Sequence, residues 1–391
     1  MNNLSKYILI FASLVVVCLL LTNNTKVFAD EYNETEENIE LEDIIVSDCY
    51  EVDMKWVSKS TYISGLFFKL NSHKNTKSLK ELLSQKETIR ILKIDSKNLK
   101  ELPEELFLFS NLEALDISDN PFIDLEKLIK DLTRFQKLKL LTMRHCGIEI
   151  LPDNISLLDN LIGLDLGQNT SMVVVNENIG KLKNLRYLSF RRNKKLKDLP
   201  ATIGDLKCLE QINLSGAGFT KIREELSYCS SLKNITANAS KIKELPEGLG
   251  RLKELRLLNL GSNKIEILPV SIGELEQLDD LSLGSNEIRE LPKSISKLQS
   301  LDAIGLEYNR FKNFPSEILK LKKLRLLSVH NNNIPTIPVE LTKLPKLSLL
   351  YVDHEIITNE NIKELRDINP NLEIKRHDAM RRAPNEPKRK I

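Results

Sequence analysis

The chain has 391 residues, of which 41% are hydrophobic and 29% charged, and its formal net charge is +2. This balance excludes an overall electrostatic field of the kind that attracts nucleic acid or a membrane surface. Charge is concentrated at the ends instead: Asp30–Asp53 has eleven acidic residues and no Lys or Arg, and Lys375–Lys390 is mostly basic. We interpret both as solvated segments; the alternative for the tail is docking on an anionic surface.

Residues 1–29 have the pattern of a secretory signal. Lys6 precedes a largely apolar run, Tyr7–Leu21, and Val27-Phe28-Ala29 fits a small-residue cleavage site. The run is shorter than the roughly 20 residues of a spanning helix. We therefore predict cleavage after Ala29 and a secreted or extracytoplasmic protein at the cell surface or in the periplasm. In the alternative, an uncleaved segment is the protein's one contact with a membrane and still leaves the rest outside the cytoplasm.

Residues 30–76 carry no repeat. The first part is acidic and poor in aromatic residues, whereas Ile44–Leu70 is apolar enough to pack. We predict an acidic lead followed by an N-terminal cap on a repeat array, because the open end of an array needs covering. Two alternatives remain: a small domain with its own ligand, or an effector whose activity uses Asp48, Asp53, Lys55 and His73.

From residue 77 to residue 357 the chain is a repeat array. Leu255, Leu258, Leu260 and Asn263 recur 23 positions later, and the same pattern begins at Ile89 and returns about twelve times. The spacing is mostly 23 residues, with one step of 26 and two of 24. In each Leu-x-Leu, alternate side chains face opposite ways, which predicts one short strand per repeat. The segment after each proline has apolar residues three apart, typical of a 3₁₀ turn.

The repeated LxxLxLxxNxL and LPxxIxxLxxL segments resemble leucine-rich repeats, in particular the 23-residue subclass of Ras-suppressor, Scribble-like and exported bacterial proteins. The resemblance covers about two thirds of the chain. It implies an α/β repeat solenoid, a curved horseshoe with a parallel sheet on its concave face and short helical or 3₁₀ turns on its convex face. It also implies a protein-binding function.

An asparagine column follows the strands, where its amides can pair with backbone groups that the turn leaves open. It comprises Asn120, Asn169, Asn193, Asn263, Asn286, Asn309 and Asn332. Cys146, Ala217, Ser240 and Glu355 replace it elsewhere, and since Ala217 cannot make the bond, we expect a looser turn there. Cys229 aligns with core leucines; a Cys208–Cys229 bridge between adjacent repeats is the alternative.

After residue 357 the repeat pattern decays. Ile362, Leu365 and Ile368 have helical spacing, Pro370 ends the helix, and Leu372 and Ile374 suggest a last strand. We predict a C-terminal cap at 358–376 and a basic, disordered tail at 377–391.

No catalytic signature is found in the sequence: it has no phosphate-binding glycine loop and none of the common zinc or nucleophile motifs. We predict no enzyme activity, no cofactor and no metal. His330 and His354 lie one repeat apart and could form a metal pair, but a solvated or ligand-contacting pair is the better interpretation without a clear third ligand.

Function is therefore predicted to lie on the concave face, which about twelve strands make roughly 55 Å long. Tyr and Arg are frequent anchors of interfaces. One predicted patch is basic and lies in the N-terminal half: Arg144, Tyr187, Arg191 and Arg192. The other is aromatic and polar and lies near the C-terminal end: Glu307, Tyr308, His330, Tyr351, Asp353 and His354. Between them Ser215–Ser285 offers small polar residues.

We predict a protein or peptide ligand for this face and no nucleic acid. The alternative is a structural or adhesive envelope component that self-associates through the convex side or the ends of the sheet.

Overall fold

The computed structural model describes residues 79–94, 98–122, 124–353 and 356–377, all within a unit that runs from Lys59 to Ile391. The signal segment, the acidic lead and cap at 30–76, His354, Glu355 and the tail beyond 377 lie outside the described residues.

Thirteen short strands pair in parallel, in chain order, into one sheet. Two further strands, β4 and β6, form a separate parallel pair. The strands are β1 (Ile91–Lys93), β2 (Ala114–Asp116), β3 (Leu140–Thr142), β4 (Ile150–Leu151), β5 (Gly163–Asp165), β6 (Val174–Val175), β7 (Tyr187–Ser189), β8 (Gln211–Asn213), β9 (Asn234–Thr236), β10 (Leu257–Asn259), β11 (Asp280–Ser282), β12 (Ala303–Gly305), β13 (Leu326–Ser328), β14 (Leu349–Asp353) and β15 (Glu373–His377).

The strand register reproduces the repeat spacing of the sequence. Leu258 pairs with Leu281 and Leu281 with Ile304, so equivalent leucines stack across neighbouring strands. Leu258 and Leu260 are both fully buried. The stacked side chains form one continuous core along the array. The predicted repeat solenoid with a parallel sheet is therefore confirmed.

The connections on the other side of the core are 3₁₀ helices of five residues in most repeats. Pro269, with φ −64° and ψ 147°, is extended and lets Val270–Glu274 begin. Ile272 and Leu275 of this segment are fully buried against the strands. The 3₁₀ helices are Glu104–Leu108, Asp153–Leu157, Glu177–Lys181, Ala201–Asp205, Glu224–Tyr228, Glu247–Arg251, Val270–Glu274, Lys293–Lys297, Ser316–Lys320 and Val339–Lys343, and a shorter one spans Leu83–Gln85.

The 26-residue repeat replaces its 3₁₀ helix by an α-helix. Leu125–Leu132 forms two turns, and the Asp124 carboxylate caps it by accepting a hydrogen bond from the N–H of Lys127 at 2.9 Å. Leu128, Ile129 and Leu132 face the core. The three additional residues are thus absorbed on the helical side, and β2 and β3 pair without a break.

The asparagine column bonds each turn to the preceding repeat. The Asn286 Nδ2 donates to the carbonyls of Leu260 at 3.0 Å and Leu283 at 2.9 Å, and its Oδ1 accepts from the N–H of Ile265 at 3.0 Å. Cys146 keeps part of this pattern, since its Sγ donates to the carbonyl of Ile117 at 3.3 Å.

The two 24-residue repeats insert one residue after their column asparagine, as in Asn193-Lys194-Lys195-Leu196. The longer turn lets the N–H of Leu196 bond to the carbonyl of Asn193 at 3.0 Å. In a 23-residue repeat the equivalent N–H needs the column side chain of the next repeat, which here is Ala217. Alanine therefore leaves no open donor at this point, and the expected looseness of its turn stays a prediction.

The residue before the column residue adopts a left-handed backbone. Within the described residues, ten residues other than glycine have positive φ, and all but Asn98 are at this position, among them Ala239 (54°) and Tyr308 (54°). Gly216 takes the same conformation with φ 68°. This tight turn follows the strands and directs the chain back toward the helical side.

The C-terminal part of the described chain contains the predicted helix and strand. An α-helix spans Asn359–Ile368, with the Thr358 hydroxyl accepting from the N–H of Asn361 at 3.1 Å. β15 then pairs with β14 over five residues. Asn361 of this helix bonds to both the N–H and the carbonyl of Ile337, which ties the helix to the preceding repeat.

Candidate functional site

The candidate site is the surface of the 13-stranded sheet that faces away from the core, which we call the sheet face. Counting the repeat from Leu255 as position 1, this face carries positions 3, 5, 7 and 8, with position 2 at its rim. The sequence prediction used mainly positions 5, 7 and 8. Apart from Tyr187 at position 3, it missed positions 2 and 3, which the alternation of side chains along a strand would have indicated.

Three arginines predicted from the sequence come together on the sheet face after β3 and β7; we call Arg144, Arg191 and Arg192 the arginine cluster. All three are half-buried. Burial, together with the positive charges of Arg192 and Arg144, lowers the pKa of Arg191. Asp165 is the carboxylate among them, and its Oδ1 accepts from the N–H of Gly167 at 2.9 Å. The cluster has more positive than negative charge, and this excess favours an anionic ligand.

Tyr187 is not an exposed member of this patch. It is only 6% exposed and packs with Ala114 and Leu140 in a small apolar cluster on the sheet face, with Ile91 and Ile162 beside it. Burial raises the pKa of Tyr187. The expectation of a directly accessible Tyr187 is therefore wrong, because position 3 of these strands is apolar; its ring forms the floor beside the arginine cluster.

Three aromatic rings form a row across β12, β13 and β14; we call Tyr308, His330 and Tyr351 the aromatic cluster. The Tyr308 and His330 rings meet edge to face with centroids 5.4 Å apart, and the His330 and Tyr351 centroids are 6.3 Å apart. The Ser328 hydroxyl lies 2.9 Å from His330 Nδ1, and the Lys375 ammonium lies 5.8 Å from the centre of the Tyr351 ring. These contacts fix the rings, and Tyr308 and Tyr351 are half-buried while His330 is 5% exposed.

Two other predicted residues lie beside the aromatic cluster. Asp353 is buried at 8% exposure and accepts a hydrogen bond from the backbone N–H of Asn331 at 2.5 Å. The Glu307 carboxylate lies so close to Gly284 and Gly305 that a Cβ atom added to either glycine would contact it. The small residues at these two positions therefore create the space in which Glu307 lies.

A group of acidic residues adjoins the aromatic cluster; we call Asp279, Asp280, Asp302 and Glu307 the carboxylate cluster. The sequence prediction included Glu307 and missed the three aspartates. Burial, and then the charges of the other three carboxylates, raise the pKa of Asp280 to about 7. Burial likewise raises the pKa of Asp279 to about 6, although Arg256 opposes it. Arg325 pairs with Asp302, with Nη2 and Oδ2 2.6 Å apart. The four carboxylates thus outnumber the two arginines beside them, and Asp280 lies among the other three.

Between the arginine and carboxylate clusters the sheet face is lined by small polar side chains, as the sequence predicted. Position 5 of β8 to β11 contributes Asn213, Thr236, Asn259 and Ser282. Asn213 and Asn259 each accept a hydrogen bond from the backbone N–H two residues later, at 3.0 and 3.2 Å. This bonding holds the amides in place along a shallow polar floor.

The remaining candidates for chemistry have local partners. In the described part of the chain, no group of three His, Cys, Asp or Glu residues is arranged to hold a metal ion. His145 Nδ1 lies 2.7 Å from Asp119 Oδ1 on the exposed edge of the face. The Cys208–Cys229 bridge does not form, because Cys229 is a buried free thiol whose Sγ donates to the carbonyl of Ile203. Of the helices in these same residues, none has the length and apolar character needed to cross a membrane.

Comparisons with known proteins agree with this architecture. Residues 280–383 match the family model of a leucine-rich repeat region. Volume-regulated anion channel subunit LRRC8E of Xenopus laevis is 30% identical over 117 residues, which are 29% of this chain and 14% of that protein. The chain thus matches only a small part of this curated relative.

Solved structures show the same fold over longer stretches. An internalin (inlF) of Listeria monocytogenes is 21% identical, with a TM-score of 0.60, over 81% of this chain and 94% of that chain. A TDR receptor is 25% identical, with a TM-score of 0.53, over 65% of this chain and 45% of that chain. A chain of the Toll–Spatzle complex, from Drosophila, is 17% identical, with a TM-score of 0.59, over 76% of this chain and 45% of that chain.

Proposed function

We propose that this chain, a leucine-rich-repeat protein, is an exported binding protein that holds a protein or peptide on its sheet face without catalysis. The observation that carries the proposal is the aromatic cluster. Its rings span three consecutive strands, and neighbouring side chains hold them in place. Rings that are ordered before binding lose little conformational freedom in a complex, which makes them effective anchors.

The two ends of the sheet face support the same proposal. The arginine cluster and the aromatic cluster lie on strands that are rigidly stacked through the core. Both clusters consist of residue types that are enriched at protein interfaces. The internalin, the TDR receptor and the chain of the Toll–Spatzle complex share the fold, and the last of these is itself bound to a protein partner. Export rests on the signal pattern at residues 1–29, and the 23-residue subclass rests on the repeat spacing.

The test is an affinity capture with the mature chain from Asp30 and two matched variants. One variant removes sheet-face anchors through Tyr308→Ala, Tyr351→Ala and Arg191→Ala. The other removes the same residue types elsewhere through Tyr228→Ala and Arg289→Ala, since Tyr228 is 45% exposed on the helical side and Arg289 is exposed there too.

A partner that the mature chain and the helical-side variant retain and the sheet-face variant loses supports the proposal. Equal retention by all three proteins moves the binding site off the sheet face. Thermal unfolding of each variant accompanies the capture, so that loss of binding is not confused with loss of the fold.

Self-association is the second candidate, and two exposed apolar residues favour it. Ile267 is 79% exposed and Val270 is 68% exposed, close together on the helical side. Contiguous apolar surface of this kind is frequent at contacts between proteins. Sedimentation at increasing concentration distinguishes the candidates: assembly that Ile267→Glu abolishes and Tyr351→Ala leaves intact favours the structural role.

A further inference from the structure

The sheet face is electrically polarised along its length. The arginine cluster follows β3 and β7, whereas the carboxylate cluster lies on β11 and β12 and just beyond them. Each cluster keeps an excess of one sign: Arg144 and Arg191 interact with Asp165 while Arg192 adds a third positive charge beside Arg191, and Asp280 lies among three other carboxylates. A ligand of uniform charge would gain at one cluster and lose at the other.

The separation of the clusters can be estimated from the sheet. β7 and β11 are four strand spacings apart, or about 19 Å, and Arg191 at position 7 lies about 13 Å further along the strand direction than Asp280 at position 3. The diagonal is about 23 Å. An extended polypeptide advances about 3.3 Å per residue and covers this distance in about seven residues.

The floor between the clusters suits an extended segment. Its position 5 side chains are Asn, Thr, Asn and Ser, which are short and both donate and accept hydrogen bonds. Gly261 at position 7 keeps the floor low on the side nearest the carboxylate cluster. A backbone with free N–H and C=O groups can lie here at bonding distance, whereas a helix, whose groups are already paired, cannot use these partners.

We propose that the sheet face binds an extended peptide segment with an acidic side chain at the arginine cluster and a basic side chain about seven residues away at the carboxylate cluster. This rests on the proposed function and specifies its ligand. Tyr308 borders the carboxylate cluster at Glu307, and its ring adds favourable contact for the basic side chain. The site selects only which end of the peptide is acidic and which is basic. The peptide can therefore run from N- to C-terminus in either direction along the face.

The test uses four pools of bead-displayed peptides. The first pool has Glu-Glu, six randomised residues and Arg-Arg; the second and third have Glu-Glu or Arg-Arg at both ends; the fourth shortens the spacer to two residues. We expect the mature chain to retain the first pool about tenfold better than the other three. Equal retention of all pools, or no retention of the first, overturns the inference.

Charge reversal sharpens the test. The variant with Arg191→Glu and Arg192→Glu makes both ends of the face acidic, and it should prefer the pool with arginine at both ends. Asp280→Lys and Glu307→Lys together leave two carboxylates beside four cationic side chains, so this variant should prefer the pool with glutamate at both ends. Combining all four changes restores a polarised face of opposite direction, so the first pool should again be retained best. A combined variant that does not regain this preference contradicts the inference.

The two proposals fail differently. If affinity capture shows a partner on the sheet face while the pools do not differ, only the charge pattern is wrong. If neither capture nor pools depend on sheet-face residues, the proposed function itself fails.

Discussion

Replacing Asn286 by alanine should destabilise the protein far more than the same change at Asn193, although both asparagines occupy the same column and are buried. The Asn286 side chain serves the N–H of Ile265 and the carbonyls of Leu260 and Leu283. Asn193 donates to the carbonyl of Leu166 at 3.0 Å, and within the described chain its Oδ1 has no hydrogen-bond partner.

The difference can be estimated from the bonds. Alanine at 286 leaves the buried N–H of Ile265 without an acceptor, which costs about 1–3 kcal/mol. It also removes one bond each to the carbonyls of Leu260 and Leu283, which keep a donor from Asn263 and Asn309, so we expect a total loss of about 2–4 kcal/mol. Alanine at 193 removes one bond to the carbonyl of Leu166, which keeps its donor from Asn169, so the expected loss is about 1 kcal/mol.

Urea unfolding of the mature chain, followed by far-ultraviolet circular dichroism, measures both losses as changes in the free energy of unfolding. The slope of the transition must stay the same in the two variants for the comparison to hold. Equal losses, or a larger loss at 193, would refute the account in which the inserted residue of the 24-residue repeats replaces the hydrogen bond of the side chain.

Three further outcomes follow from the fold and the face. Gly216→Ala should lower the free energy of unfolding by about 1 kcal/mol and Ala239→Gly should raise it by up to about 1 kcal/mol, because both positions require positive φ; paired urea curves with the opposite signs would contradict this. Because the folded pKa of Asp280 is about 7 and the unfolded value is near 4, its ionisation removes stability as pH rises between these values. Asp280→Asn should therefore stabilise the protein by about 1–3 kcal/mol at pH 8 and have little effect near pH 4. The charged groups around Asp280 are Asp279, Asp302, Glu307, Arg256 and Arg325. Urea curves that show the same effect of the substitution at both pH values would contradict this prediction. Tyr351→Ala should weaken ligand retention while changing the melting temperature little, whereas Leu281→Ala should cost about 2–5 kcal/mol, and calorimetry of both variants beside the capture assay checks the contrast.

Periodicity alone was enough to predict most of this architecture. Leu258, Leu260 and Ile272 lie at fixed positions of the repeat, and each of these positions is buried to the same extent in every regular repeat. The strands, the core and the 3₁₀ turns therefore follow from the pattern. The exchange of a 3₁₀ helix for Leu125–Leu132 also has a sequence signal, since three residues are inserted at the point where the proline is missing.

The site was less accessible to prediction, because a repeat pattern states which side chains point outward but not which of them pack together. Tyr187 has the sequence position of an anchor, yet the apolar residues of neighbouring strands bury it. Asp280 has the pattern of an ordinary surface charge, and only the register of β11 with β12 brings it to Asp302 and Glu307. Interactions between repeats depend on residues more than twenty positions apart, which local spacing does not reveal.

The bonds of the asparagine column point backward, from one repeat to the one before it. Asn286 completes the turn that carries Ile265, and Asn332 completes the one that carries Phe311. Asn361 lies outside the column but also bonds backward, to Ile337 of the preceding repeat. During synthesis or passage across a membrane, with the N-terminus leading, the newest repeat is therefore unfinished until its successor emerges. The helix Asn359–Ile368 bonds backward in the same sense through Asn361, so we expect the end of the described array to be secured only when this C-terminal helix has emerged.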